Sequence, residues 1–117
     1  MPDVVLFRPV GQGELDLIAA LEWRAFPPRL DHQAIFYPVL TEEYATKIAR
    51  DWNTKDPASG FVGYVLRFRV ASETLDRWPP QQGAAGKTFR ELWVPADELG
   101  EFNSLILGRI EVTAEYR

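Results

Sequence analysis

The run Phe89-Arg90-Glu91-Leu92-Trp93-Val94-Pro95 sets one carboxylate at the start of a short β-prone stretch that a proline stops. Side chains alternate across a pleat, so Leu92 and Val94 share one face while Glu91 and Trp93 share the other. A carboxylate against an indole is suited to act as a catalytic acid and equally to form a strand-edge salt bridge. Arg8 is the second such residue. An arginine on an otherwise apolar first strand needs either water at an edge or a buried anion, and its fork fits phosphate or carboxylate. Tyr37, beside Pro38 at a strand-to-helix junction, is the third. An aromatic there can stack on a flat ring or belong to the core. Of the two tyrosines near this junction, Tyr37 is expected to face a cleft, because Tyr44 opens the apolar stripe of its helix. Arg67 and Arg69 share one strand face, where they can complement an anion or pair with Glu91 and Glu111.

Other chemistries are poorly supplied. The 117 residues include no cysteine and a single histidine, His32, which excludes thiolate chemistry, Cys-based zinc or iron–sulfur sites and a His-rich metal site, so no metal is expected. His32 lacks a visible nucleophile or second ligand and reads as solvated or locally hydrogen-bonded. Ser59, Ser72 and Ser104 have no G-x-S-x-G context. Gly83-Ala84-Ala85-Gly86-Lys87-Thr88 resembles a P-loop, but Gln81 stands where its first glycine belongs and a strand rather than a helix follows. Gly11-Gln12-Gly13 lacks the third glycine of a dinucleotide fingerprint. The net charge of −4 disfavours a nucleic-acid polymer or an anionic membrane surface as partner. Met1–Phe7 lacks the basic start and apolar length of a signal peptide or membrane span, so the expected location is cytoplasmic.

The elements that must position these residues read as one domain, 1–117. Val4–Val10 is a strand whose Pro9 marks an end or edge. Glu14 to about Trp23 is expected to be a helix with a broad apolar face of Leu15, Ile18, Ala19 and Leu21. Pro27-Pro28 makes a stiff loop, and Ile35–Val39 a short extended segment. Thr41 N-caps a helix to Trp52 with Tyr44, Ala45, Ile48, Ala49 and Trp52 on one apolar stripe. Asn53–Gly60 is a loop, and Phe61–Val70 alternates as the clearest strand. Ser72–Trp78 is a helical turn, and Gln81–Thr88 a loop before the Glu91 strand. A short helix follows Pro95, Gly108 breaks the chain, and a final strand carries Ile110, Val112, Ala114 and Tyr116. About five strands and two or three helices in mixed order indicate an α+β domain with a small, mixed, mainly antiparallel sheet.

Taken together, Leu6-Phe7-Arg8, Ile35-Phe36-Tyr37 with the Tyr44-Ala45 helix, the Phe61–Val70 strand and Arg90–Pro95 resemble, in order, the small ADP-ribosyltransferase-like fold. That fold carries Arg or His on its first strand, an aromatic or serine on a middle strand before a helix, and Glu on a late strand. Phe7–Gly11, Ala25–Leu30, Ile35–Val39 and Glu91–Pro95 are also similar to small bacterial proteins labelled ADP-ribosylation/crystallin J. That label belongs to larger, helical ADP-ribosylglycohydrolases with magnesium-binding Asp/Glu clusters, which this chain lacks. The resemblance to the transferase fold implies NAD as substrate. Glu91 would stabilise the oxocarbenium character that develops as the nicotinamide–ribose bond breaks, Arg8 would hold a phosphate or the ribose, and Tyr37 would stack on nicotinamide. Phe89 stands where a Gln/Glu-x-Glu pair would begin, which argues against an arginine acceptor and leaves NAD hydrolysis, another acceptor, or binding alone. The rival expectation is a non-catalytic interaction module, such as an immunity or accessory protein, with an exposed patch of Trp23, Phe26 and Trp93 meeting a protein partner.

Overall fold

The structure, a computed structural model, describes residues 3–83 and 89–117. Met1-Pro2 and most of the P-loop-like run, residues 84–88, lie outside the described residues. In chain order the elements are β1 (Asp3–Val10), α1 (Gln12–Ala20), β2 (Ile35–Phe36), α2 (Glu42–Asp51), β3 (Gly63–Ala71), α3 (Thr74–Arg77), β4 (Gln81–Gln82), β5 (Arg90–Glu91), β6 (Val94–Pro95), α4 (Leu99–Asn103) and β7 (Ile106–Tyr116). Short 3-10 turns occupy Asn53–Lys55, Pro57–Ser59 and Ala96–Glu98. The fold is α+β with antiparallel pairing throughout the named strands. No helix among the described residues is long and apolar enough to cross a membrane.

β3 is the centre of a three-stranded sheet of order β1-β3-β7. Its alternation sends Tyr64, Leu66, Phe68 and Val70 into the main core and leaves Arg67 and Arg69 exposed on the opposite face. Phe26, Phe36, Phe68 and Phe102 fill that core with tilted and edge-on ring contacts at 4.9–6.2 Å, and each such ring stabilises the fold by about 1.5–3 kcal/mol through burial. Helix α2, capped by the Thr41 hydroxyl accepting from the Tyr44 N–H, lays Tyr44, Ala45 and Ala49 on the other face against Val65. Gly63 permits this approach, since a Cβ there would overlap the Ala49 backbone.

Several expectations are corrected. α1 ends at Ala20, and only Ile18 is buried, while Leu17 and Leu21 are exposed. The chain leaves this helix through left-handed backbone at Glu22 and Trp23, closed by the Trp23 N–H on the Ile18 carbonyl, so just one narrow side of the helix meets the core. Residues 89–95 are not one strand: β5 pairs with β4, and β6 pairs with β2. The expected burial pattern nevertheless holds, with Leu92 and Val94 fully buried, Glu91 half-buried and Trp93 exposed. Gly108 does not break the last strand. It sits at φ 74° within β7, where the register with β3 slips between Arg67 and Arg69. A second slip between Val65 and Leu66 disturbs the alternation, and Val112 is exposed. Arg67 pairs with Glu111 as one alternative required, but Arg69 pairs with Asp3, and neither reaches Glu91. The strands number seven and the α-helices four among the described residues, because short paired segments are invisible to periodicity.

Candidate functional site

Arg8, Tyr37 and Glu91 line one cleft of about 830 Å³, together with Arg29, Val39, Tyr44, Trp52, Asn53 and Trp93. The cleft opens at the margin of the sheet. Val39 is a single-residue bridge there, exchanging backbone hydrogen bonds with Phe7 at 2.8 and 2.9 Å and standing opposite Glu91 on its other side. Leu40 N–H to the Arg90 carbonyl and Leu92 N–H to the Pro38 carbonyl fasten the Glu91 segment beside it. Directly paired residues point to the same side of a sheet. Glu91 therefore shares the α2 side with Val39 and Phe7, whereas Arg8, one residue along β1, starts from the core side. Their backbone positions thus face opposite sides of the sheet, counter to the single face that a shared site requires, although both residues line the same cleft.

At one end the carboxylate is closely held. Tyr44 donates its hydroxyl to Glu91 Oε1 at 2.6 Å, and the Trp93 indole N–H donates to Oε2 at 2.8 Å. Both partners are neutral, and no arginine or lysine among the described residues pairs with Glu91, so the salt-bridge alternative is not realised among them. Each oxygen keeps acceptor capacity for a ligand. Gly83 closes over this pair, since a Cβ there would lie 2.5 Å from Glu91 Oε1 and overlap the Tyr44 ring hydroxyl. Burial first, and then the hydrogen bond and charge of Glu91, push the Tyr44 phenol well above its ordinary value. The tyrosine stays protonated as donor.

At the other end two cations share one anion. Arg8 is held by Glu14 in a fork, Nε to Oε2 at 2.6 Å and Nη2 to Oε1 at 2.9 Å, and its Nη1 donates to the Tyr37 carbonyl at 3.3 Å. The buried anion that Arg8 requires is thus an internal one, from the first turn of α1. Arg29 lies farther from Glu14, at 3.9 Å, donates through Nη2 to the Ile35 carbonyl, and leaves its buried Nε without a partner. Both guanidinium groups lie over the Phe36 ring, at 4.5 and 5.6 Å from its centroid. Burial, and then the neighbouring charge of Arg8, pull Arg29 below the ordinary guanidinium value. Arg29 is delivered here by the stiff Pro27-Pro28 loop, which is anchored by buried Phe26 and by Asn103 bonding both backbone groups of Phe26.

Tyr37 is 42 % exposed and lines the cleft. His32 lies in an exposed turn away from this lining. Residues the sequence reading left out of the site are Tyr44, Arg29 and Asn53. Tyr44 was expected in the core, and it is buried, yet its hydroxyl reaches a residue 47 positions on. Asn53 bonds Ser59 through its amide nitrogen and leaves a buried, unpartnered Oδ1. Trp52, expected on the buried stripe of α2, is 66 % exposed on the cleft rim: it is the C-cap, one residue past the end of α2, with its amide still bonded to the Ile48 carbonyl. The expected partner patch is also corrected: Phe26 is buried in the core and Trp23 packs against it, leaving only Trp93 of the three exposed. Comparisons with protein-family models, curated proteins and solved structures found no match.

Proposed function

We propose that the cleft binds NAD or an ADP-ribosyl group and that the protein acts as an ADP-ribosyltransferase or NAD glycohydrolase within an ADP-ribosyltransferase-like fold. The observation that supports this reading is that Arg8, Tyr37 and Glu91, drawn from three distant parts of the chain, line one cleft. Glu91, oriented by Tyr44 and Trp93, faces the ribose and stabilises the positive charge that grows as the bond to nicotinamide breaks. Tyr37 stacks on the flat ring of the leaving group. Arg8, with three of its five N–H donors engaged internally, has two left for a phosphate or ribose oxygen. No metal takes part.

A thermal-shift titration with NAD and ADP-ribose, paired with chromatographic detection of released nicotinamide, tests the reading. NAD raises the melting temperature, and Glu91→Gln keeps the shift while losing about 100-fold or more in nicotinamide release. Absence of any shift with either ligand for folded wild type would sink it. A second reading, a protein-interaction module, draws on Trp52 and Trp93, two tryptophans 66 % and 47 % exposed on the same rim. Retained partner capture by Glu91→Gln, with no response to NAD, is its signature.

A further inference from the structure

We propose that Arg29, with Arg8 and Glu14 as its fixed neighbours, forms a binding site for one anionic group, phosphate or carboxylate. The inference uses the cleft described above but stands apart from the choice of NAD as ligand. It rests on a charge count at close quarters. Arg8, Arg29 and Glu14 have side chains 10 %, 11 % and 21 % exposed, so two positive charges and one negative charge are largely withdrawn from water. Glu14 spends both oxygens on Arg8 at 2.6 and 2.9 Å and stands 3.9 Å from Arg29. No other carboxylate pairs with Arg29 among the described residues.

A buried cation without a counter-ion is unfavourable, and two guanidinium groups over one phenyl ring repel each other. The unpartnered Arg29 Nε shows that the protein's own acceptors do not fill the guanidinium's donor set. Arg29 also lines the open cleft, so an incoming anion meets it without unfolding the loop. The forked donors of arginine suit two oxygens of one phosphate or carboxylate. Arg8 is the platform and Arg29 the contact, the reverse of the emphasis that strand position alone suggests.

The test is calorimetric and thermal-shift titration of the full chain with pyrophosphate, phosphate and acetate, each at ionic strength matched with chloride. The expected result is one anion bound per chain and a melting temperature raised by several degrees, with the phosphate and acetate arms identifying which oxyanion fits. Arg29→Gln should bind at least about tenfold more weakly, as loss of a charge-assisted hydrogen bond requires, and should melt no lower than wild type without anion. Glu14→Gln, which exposes a second uncompensated cation, should bind more tightly. The site is overturned if no anion outperforms chloride, if Arg29→Gln binds like wild type, or if Arg29→Gln alone melts well below wild type. Pyrophosphate binding without NAD binding would remove the NAD reading and keep this site. NAD bound at full strength by Arg29→Gln, with pyrophosphate also bound as by wild type, would do the opposite.

Discussion

The two ends of the cleft are built on opposite plans. Around Glu91 a single carboxylate has a neutral donor on each oxygen, with a glycine pressed over the pair. Around Glu14 one carboxylate is shared by two guanidinium groups and cannot satisfy both. The first plan fixes a geometry and the second stores a charge. A site made of one satisfied and one unsatisfied end is pre-organised where a reacting atom must be placed and unbalanced where a charged handle must be captured.

Substitutions can break this contrast at either end. The largest effect is expected for Arg8→Ala: it strips Glu14 of its fork inside a mostly buried cluster and should destabilise the fold by about 3 kcal/mol in urea unfolding. Gly83→Ala comes next, because its Cβ has no room beside Glu91 and Tyr44. Overpacking of about 2 kcal/mol is expected, together with loss of Glu91-dependent nicotinamide release. Tyr44→Phe removes one charge-assisted hydrogen bond, worth about 1.5 kcal/mol, while Trp93 still holds the carboxylate. Trp93→Phe, at an exposed position, should change stability by less than about 0.5 kcal/mol and shift only the orientation of Glu91.

The satisfied end also has a pH signature. The phenol of Tyr44 is raised in the folded protein above its ordinary value of 10.0, so the fold retains a proton that the unfolded chain releases. Its contribution is fully present below the ordinary tyrosine value and is lost as pH rises through the alkaline range, at up to about 1.4 kcal/mol per pH unit. Wild type should therefore lose more stability than Tyr44→Phe between pH 9 and 11 in paired denaturation curves.

These two ends were unequally legible in the sequence. Leu92 and Val94 alternating with Glu91 and Trp93 announce which face carries the acid, and the helix of Tyr44, Ala45 and Ala49 follows from Thr41 and the apolar spacing. The contact between Tyr44 and Glu91 does not, since burial and hydrogen bonding by one tyrosine look identical in a periodicity. Arg29 sits in a proline loop with no pattern, and its position depends on Phe26 docking in a core assembled from β3 and α4. Trp52 misleads because a helical wheel continues past the residue where the helix stops. The narrow buried side of α1 depends on the left-handed pair Glu22-Trp23, which neither residue type favours.

The one-residue bridge at Val39 turns the cleft floor into a clock. Its amide is buried and bonded to the Phe7 carbonyl, across the seam where Val39, with Glu91 on its other side, meets β1. Deuterium can reach that amide only when the seam parts, so its exchange rate counts the openings of that seam.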